Sequence, residues 1–294
     1  MNSVPQLSYA SYFDDPVKRT VVRFVERLSG QPRLQNMYET YRRDLADQPF
    51  FDAAISLLKL NVQYDELRLN ALPASGPLVV VANHPFGVLD GLVISWLISR
   101  RRSDFKVLTN AVLDGAPEAR DWLLPIDFAN TREAKETNIA TRAACLKRLQ
   151  AGECIVVFPA GGVSTSPTPF SRAAVDDVWK PFTASLITRT GAQVTPIFFE
   201  GQNSRLFQIA SHVSLELRLA LIFREVKRRI GTDLPVQIGE TLTASDIANL
   251  GKRQNLISQL RQRTYGMASP NMMASISRAE TEAESRRLAG RSLW

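Results

Sequence analysis

Apolar positions change their period along this chain. From residue 16 to about 60 they recur at helical spacing. Val21, Val22, Phe24, Val25 and Leu28 make one face, edged by Lys18, Arg19, Arg23 and Arg27. Gly30-Gln31-Pro32 breaks that helix, and Leu34, Met37, Tyr38 and Tyr41 mark a second one to about residue 47. A third, over about 50–60, carries Phe51, Ile55, Leu57 and Leu58. Helices of this kind either pack on a core or lie with the apolar face in a membrane surface. Further on, short apolar runs alternate with helical stretches. The runs predict strands over 78–81, 105–108, 123–128, 155–158, 193–199 and 236–238, and the alternation Val213 to Leu219 predicts a half-exposed strand. Helices are predicted over 91–99, 133–149, 173–189 (kinked or divided at Pro181) and 244–265, with a turn at Asp114-Gly115-Ala116-Pro117. Continuous apolar strands between helices predict an α/β fold: a largely parallel central sheet flanked by helices, with an N-terminal helical segment. The expected organisation is a helical segment over 1–64, a main domain over 65–266, and a mobile tail over 267–294, where periodicity gives way to Ser, Ala, Glu and Arg.

Composition narrows the class. In 294 residues, 45% hydrophobic and 22% charged content is ordinary for a globular protein. No apolar run reaches the ~18–20 residues that cross a bilayer, and the longest, over 88–99, contains Asp90. The start Met1-Asn2-Ser3-Val4-Pro5 does not read as a signal peptide. The expectation is a protein free in solution or held on one membrane face. Cys145 and Cys154 form no CxxC or Cys/His cluster, so no metal site is expected, and Cys154 sits in an apolar run as a core residue would. The net charge of +7 invites an anionic partner. Anionic lipid fits better than nucleic acid, because no nucleic-acid motif accompanies the charge. Arg100, Arg101, Arg102 and Lys106 form one basic cluster; Arg218, Arg224, Lys227, Arg228 and Arg229 form another.

The chemistry concentrates in Val79-Val80-Val81-Ala82-Asn83-His84-Pro85-Phe86-Gly87-Val88-Leu89-Asp90-Gly91. A buried strand delivers one of only two histidines to a turn, and a carboxylate follows six positions later. A His and an Asp on one loop can fix an imidazole tautomer and stabilise its protonated form; the same His can equally cap a turn. A second strand runs into Phe158-Pro159-Ala160-Gly161-Gly162-Val163-Ser164, where a Gly-rich turn brings backbone N–H groups near a ligand. A third runs through Pro196 into Glu200-Gly201-Gln202-Asn203-Ser204, where the polar residues bind a headgroup or close a turn.

In this order and spacing the segments, over roughly residues 65 to 240, resemble the glycerolipid acyltransferases, the group of lysophosphatidate and lysophospholipid acyltransferases. Asn83-His84 and Asp90 match the family's NHxxxxD motif with one extra intervening residue; Phe158, Pro159, Gly161 and Ser164 match FPEGTRS; Pro196 matches the fourth motif. Asn83-His84-Pro85-Phe86-Gly87 is similar to the branch labelled hemolysin-like, related to O-acyltransferases of ornithine-lipid and aminolipid synthesis. The resemblance implies acyl transfer from acyl carrier protein or acyl coenzyme A to a lysolipid hydroxyl, with no bound cofactor, at the cytoplasmic face of the inner membrane. His84 is then the general base and Asp90 its partner. Asn83, Phe86, Gly87, Phe158, Pro159, Gly161, Gly162 and Ser164 are expected around the substrate, with N–H groups near Gly161 and Gly162 for the oxyanion. The motif glutamate and arginine are absent: Ala160 and Val163 stand there. Either another cation, such as Arg172 or Arg189, holds an acceptor phosphate, or the acceptor has none, as a lyso-aminolipid would not. The Arg100–Lys106 cluster is a candidate for the anionic donor or for capping its helix. The rival class is a non-enzymatic membrane-binding protein, for which His84 is dispensable.

Overall fold

A computed structural model describes residues 5–10, 13–110, 116–127, 131–251 and 253–291. Three helices lead: α1 (Pro16–Ser29), α2 (Gln31–Asp44) and α3 (Phe50–Leu57). Asp15 caps α1 by accepting from the N–H groups of Val17 and Lys18. There follow β1 (Asn61–Gln63), α4 (Glu66–Asn70), β2 (Leu78–Ala82), α5 (Val88–Ser99), β3 (Phe105–Asn110), α6 (Pro117–Arg120), β4 (Leu123–Ile126), α7 (Arg132–Gln150) and β5 (Cys154–Val157). The chain continues through α8 (Pro181–Thr190), β6 (Gln193–Phe199), α9 (Arg205–Val213), α10 (Leu215–Ala220), α11 (Ile222–Arg229) and β7 (Asp233–Ile238). It closes with α12 (Ala244–Asn249), α13 (Arg253–Tyr265) and α14 (Pro270–Arg291).

The seven strands form one sheet in the order β1-β7-β6-β2-β5-β3-β4, parallel except for the antiparallel β6–β7 pair. All five residues of β2 are buried, because both sheet faces are covered. Leu78, Val80 and Ala82 face one core with α3, α5 and α11; Val79 and Val81 face the other with α7, α8 and α13. The predicted α/β sheet is therefore the observed one. Val22, Leu34 and Phe51 from the leading helices belong to the same core as β2, so α1–α3 are built onto the sheet domain.

Several local expectations are corrected. Residues 173–180 are irregular chain, held by an isolated antiparallel bridge between Thr165 and Val175, and Pro181 begins α8, where its missing N–H has no intrahelical partner to lose. Over 213–219 there is no strand: Ser214 caps α10 right after α9 ends, by accepting from Leu217 N–H. The closing helix is two, α12 and α13, separated at Leu250-Gly251. The predicted tail is largely α14, which buries Ile276 and Ala279 on the sheet domain. Parts of the predicted 114–117 turn and 123–128 strand lie outside the described residues.

Candidate active site

Parallel strands with helical crossovers leave a crevice beyond their carboxyl ends. The adjacent strands β6, β2 and β5 end at Phe199, Ala82 and Val157, and each delivers one of the segments singled out in the sequence. Asn83, just past β2, locks that loop to its neighbour. Its Nδ2 donates to Phe199 O at 2.9 Å and its Oδ1 accepts from Phe199 N at 2.7 Å. With both ends of a buried amide engaged, Asn83 positions the loop that carries His84.

His84 Nδ1 lies 3.0 Å from Asp90 Oδ2. The approach is close but poorly aligned for a linear hydrogen bond, a looseness expected of a catalytic pair without substrate. Asp90 occupies the first turn of α5, fully buried, and its Oδ2 also accepts from Phe86 N at 2.8 Å and Gly87 N at 2.9 Å. Gly87 makes this turn possible: its φ of +80° suits glycine, and a Cβ there would stand 3.2 Å from Val163 Cγ2. The extra residue between His and Asp is absorbed by this turn. Burial pushes the Asp90 carboxyl above the ordinary carboxylate range, opposed by His84 and the two N–H groups. The His84 ring stacks on Phe158, centroids 4.1 Å apart, and remains partly exposed. With Nδ1 turned to Asp90, Nε2 is the nitrogen left for a substrate.

Other predicted residues take structural positions. Ser164 is buried; its N–H donates to His84 O at 2.8 Å and its Oγ to Asp176 Oδ1 at 2.5 Å. The Gly161 N–H is already used by Phe158 O at 3.0 Å, whereas the Gly162 N–H makes no hydrogen bond among the described residues. Pro159 is buried and its carbonyl accepts from Lys180 N. Phe86 is buried under the Arg229 guanidinium, 4.3 Å from the ring centroid. Arg172 is exposed, and among the described residues only its carbonyl is engaged, by Gln202 Nε2; Gln202 closes that loop by also accepting from Ala174 N. The Arg100–Lys106 cluster lies at the opposite end of the sheet. Buried Arg102 pairs with Asp104 and donates to the carbonyls of Pro73, Gly76 and Gly152, which precede β2 and β5. It is a structural tie.

Three residues at the site escaped sequence reading. Buried Asp176 accepts from His84 N (3.2 Å), Ser164 Oγ and Trp179 Nε1 (2.9 Å), joining the segments after β2 and β5. Arg218 and Arg229, expected on an outer basic face, turn inward. Arg218 Nη2 donates to the carbonyl of Val163, the residue that replaces the motif arginine, at 2.6 Å. Arg229 Nη2 reaches Gln202 O at 3.2 Å and approaches Gly201, whose φ of +122° and position 2.8 Å from Phe86 Cζ (measured from a Cβ placed there) leave room for no side chain. Among the described residues, no group of three or more His, Cys, Asp or Glu side chains is placed to hold a metal ion.

Comparison with known proteins gives the following likenesses. A family model described as Acyltransferase matches residues 18–272. A lyso-glycine lipid O-acyltransferase of Phocaeicola vulgatus is 23% identical over 217 residues, covering 70% of this chain and 72% of that protein. A protein of the same description from Bacteroides thetaiotaomicron is 22% identical over 212 residues, covering 70% and 74%. Among solved structures, the 1-acyl-sn-glycerophosphate acyltransferase of Thermotoga maritima superposes with a TM-score of 0.48 at 14% identity, over 87% of this chain and 83% of that one.

Proposed function

The chain belongs to the acyltransferase family, and on that premise we propose that it moves a fatty acyl group from a thioester carrier to the hydroxyl of a lysolipid, at a membrane surface. The observation that carries this reading is the His84–Asp90 pair at the carboxyl end of β2. In the proposed step His84 Nε2 takes the proton of the acceptor hydroxyl as its oxygen attacks the thioester carbonyl carbon. The imidazolium formed is stabilised by Asp90 at Nδ1. The free N–H of Gly162 faces the developing oxyanion. The carbon–sulfur bond then breaks, the ester forms, and the proton passes from His84 to the departing thiolate. Phe158, stacked on the imidazole, keeps its plane fixed. The donor is acyl carrier protein or coenzyme A, and no resident cofactor takes part.

The two curated relatives are named for a lyso-glycine lipid. With Val163 in place of the motif arginine, this supports a lyso-aminolipid acceptor, of the glycine- or ornithine-lipid type, over lysophosphatidate.

Docking is assigned to α1 and its neighbours. This helix is amphipathic in reverse: Val22, Glu26 and Ser29 face the protein, whereas Val17, Val21, Phe24 and Leu28 are 70, 44, 63 and 73% exposed. Those four positions share one helix face. Buried Glu26 accepts from Ser8 Oγ and Tyr9 N, which fixes the orientation. Beside α1, which Lys18 ties to Glu216 of α10, the apolar residues Leu206, Ile209, Val213 and Leu215 are also exposed. An apolar surface on this scale with basic residues around it suits peripheral attachment to an anionic leaflet, proposed as the cytoplasmic face of the inner membrane. Among the described residues no helix is long and apolar enough to cross a membrane.

The test is transfer of labelled acyl groups from acyl carrier protein and from coenzyme A, in mixed micelles, to lyso-glycine lipid, lyso-ornithine lipid and lysophosphatidate. The expected product is the O-acylated aminolipid. Absence of transfer to all three acceptors from either donor would refute the reading.

A further inference from the structure

We propose that Arg218 recognises the carboxylate of the acceptor's headgroup. The assignment rests on the lysolipid reading above and adds the group that selects its substrate. Arg218 lies on α10, partly buried, over the ring of Phe207 at 5.9 Å from the centroid. A guanidinium has five N–H donors; among the described residues this one makes a single hydrogen bond, to the neutral Val163 carbonyl. No carboxylate of a described residue pairs with it, whereas the nearby Lys18 and Arg224 pair with Glu216 and Glu225. Burial alone draws its pKa below the ordinary guanidinium value. A desolvated cation without a counter-charge is a site awaiting an anion.

Two further buried donors, on or just before α9, lack acceptors among the described residues. Gln208 Nε2 is unpaired, while its Oε1 accepts from Ser166 N, so Gln208 and Arg218 hold the same 163–166 segment. Asn203 Nδ2, just before the Ser204 cap of α9, is also unpaired among the described residues; α9 carries Phe207, the ring under Arg218. Buried donors are rarely left without partners, and a carboxylate would supply acceptors only. Arg229 already has a use: it stacks on Phe86, and Asp90 and Glu225 offset its burial.

Position links the cation to the chemistry. The Arg218 Nη2 is 4.0 Å from where a Cβ of Gly162 would lie, and Ser164 N–H, in the same segment, is bonded to His84 O. On its outer side α10 exposes Leu215 beside Val213 of α9. An amphiphile from the membrane would meet the apolar face first, then Arg218, then His84. A planar guanidinium fork matches the two oxygens of a monoanionic carboxylate.

The test uses two probes that lack the acceptor hydroxyl, so it does not depend on acyl transfer: N-dodecanoylglycine and its amide, N-dodecanoylglycinamide. Their binding to the full chain is measured by titration calorimetry. The wild type is expected to favour the carboxylate by about 10- to 100-fold. Arg218→Gln should bring the ratio near unity, and Arg228→Gln, on the exposed side of α11, should leave it intact. Should the glutamine variant fail to fold, Arg218→Lys, which keeps the charge and loses the fork, should lower the ratio. Equal binding of both probes by the wild type, or a ratio unchanged by either Arg218 substitution, would overturn the proposal. Equal binding of the two probes by a wild type that does transfer acyl groups counts against Arg218 alone; Arg218-dependent preference without transfer counts against the enzymatic reading alone.

Discussion

Replacing Asp90 by Asn separates the two tasks of its carboxylate. Oδ2 accepts from two backbone N–H groups, those of Phe86 and Gly87. An amide nitrogen placed there would face both donors, so the amide oxygen is held in that position and the NH2 takes the place of Oδ1. The oxygen still faces His84 Nδ1, and the tautomer with a free Nε2 survives. The negative charge opposite the imidazolium is lost. Two unit charges at the observed 3.0 Å interact by about 5 kcal/mol at an effective dielectric near 20. The imidazolium charge is shared by two nitrogens and only partly developed in the transition state, which leaves about 2–4 kcal/mol in the barrier, or a roughly 30- to 1000-fold fall in kcat. Stability changes less. Burial already disfavours the charged Asp90, and Oδ1 is unpaired, so the variant exchanges a buried charge for a buried unpaired N–H, a penalty of about 1–3 kcal/mol. The assay is kcat and KM on mixed micelles, with Tm measured in parallel. A fall beyond about ten-thousandfold, the scale of a reversed tautomer, would refute the argument from the two N–H donors. A fall under about tenfold would refute a role for the charge.

Asn83→Leu leaves the Phe199 N–H and carbonyl unpaired; chemical denaturation should show about 2–4 kcal/mol lost, and kcat should fall as the His84 loop loosens. Burial raises the Glu26 carboxyl above its unfolded value, so its contribution to stability is full below the ordinary carboxylate range and is lost as pH rises through the folded pKa. Glu26→Gln should flatten that part of the Tm profile, on the side above the ordinary carboxylate range. Phe24→Gln with Leu28→Gln, both on the exposed face of α1, should weaken co-sedimentation with anionic vesicles and leave Tm nearly unchanged; undiminished vesicle binding would remove α1 from the docking face.

The centre of the sheet was legible because β2 and β5 are buried on both faces and read as continuous apolar runs, Leu78 to Val81 and Cys154 to Val157. The His84–Asp90 contact was legible because both residues lie on one turn. The helices at 205–220 were not. Val213, Leu215, Leu217 and Leu219 alternate with polar residues, and the caps at Ser204 and Ser214 outweigh that period-2 signal. The exposed apolar residues of α9 and α10 also blur a pattern that assumes burial. Asp176 belongs to no motif and sits in irregular chain; its only sequence signal is a carboxylate between Val175 and the buried Trp179. Arg218 and Arg229 read as surface charge because helix phase, which turns them inward, depends on cap positions that the sequence pattern left open.

The most direct measurement compares wild type with His84→Ala for transfer from a labelled acyl thioester to a lyso-aminolipid in mixed micelles, with vesicle binding recorded on the same preparations. The expected result is loss of transfer by at least about a hundredfold with binding intact. Transfer undiminished in His84→Ala would contradict general-base catalysis by this residue.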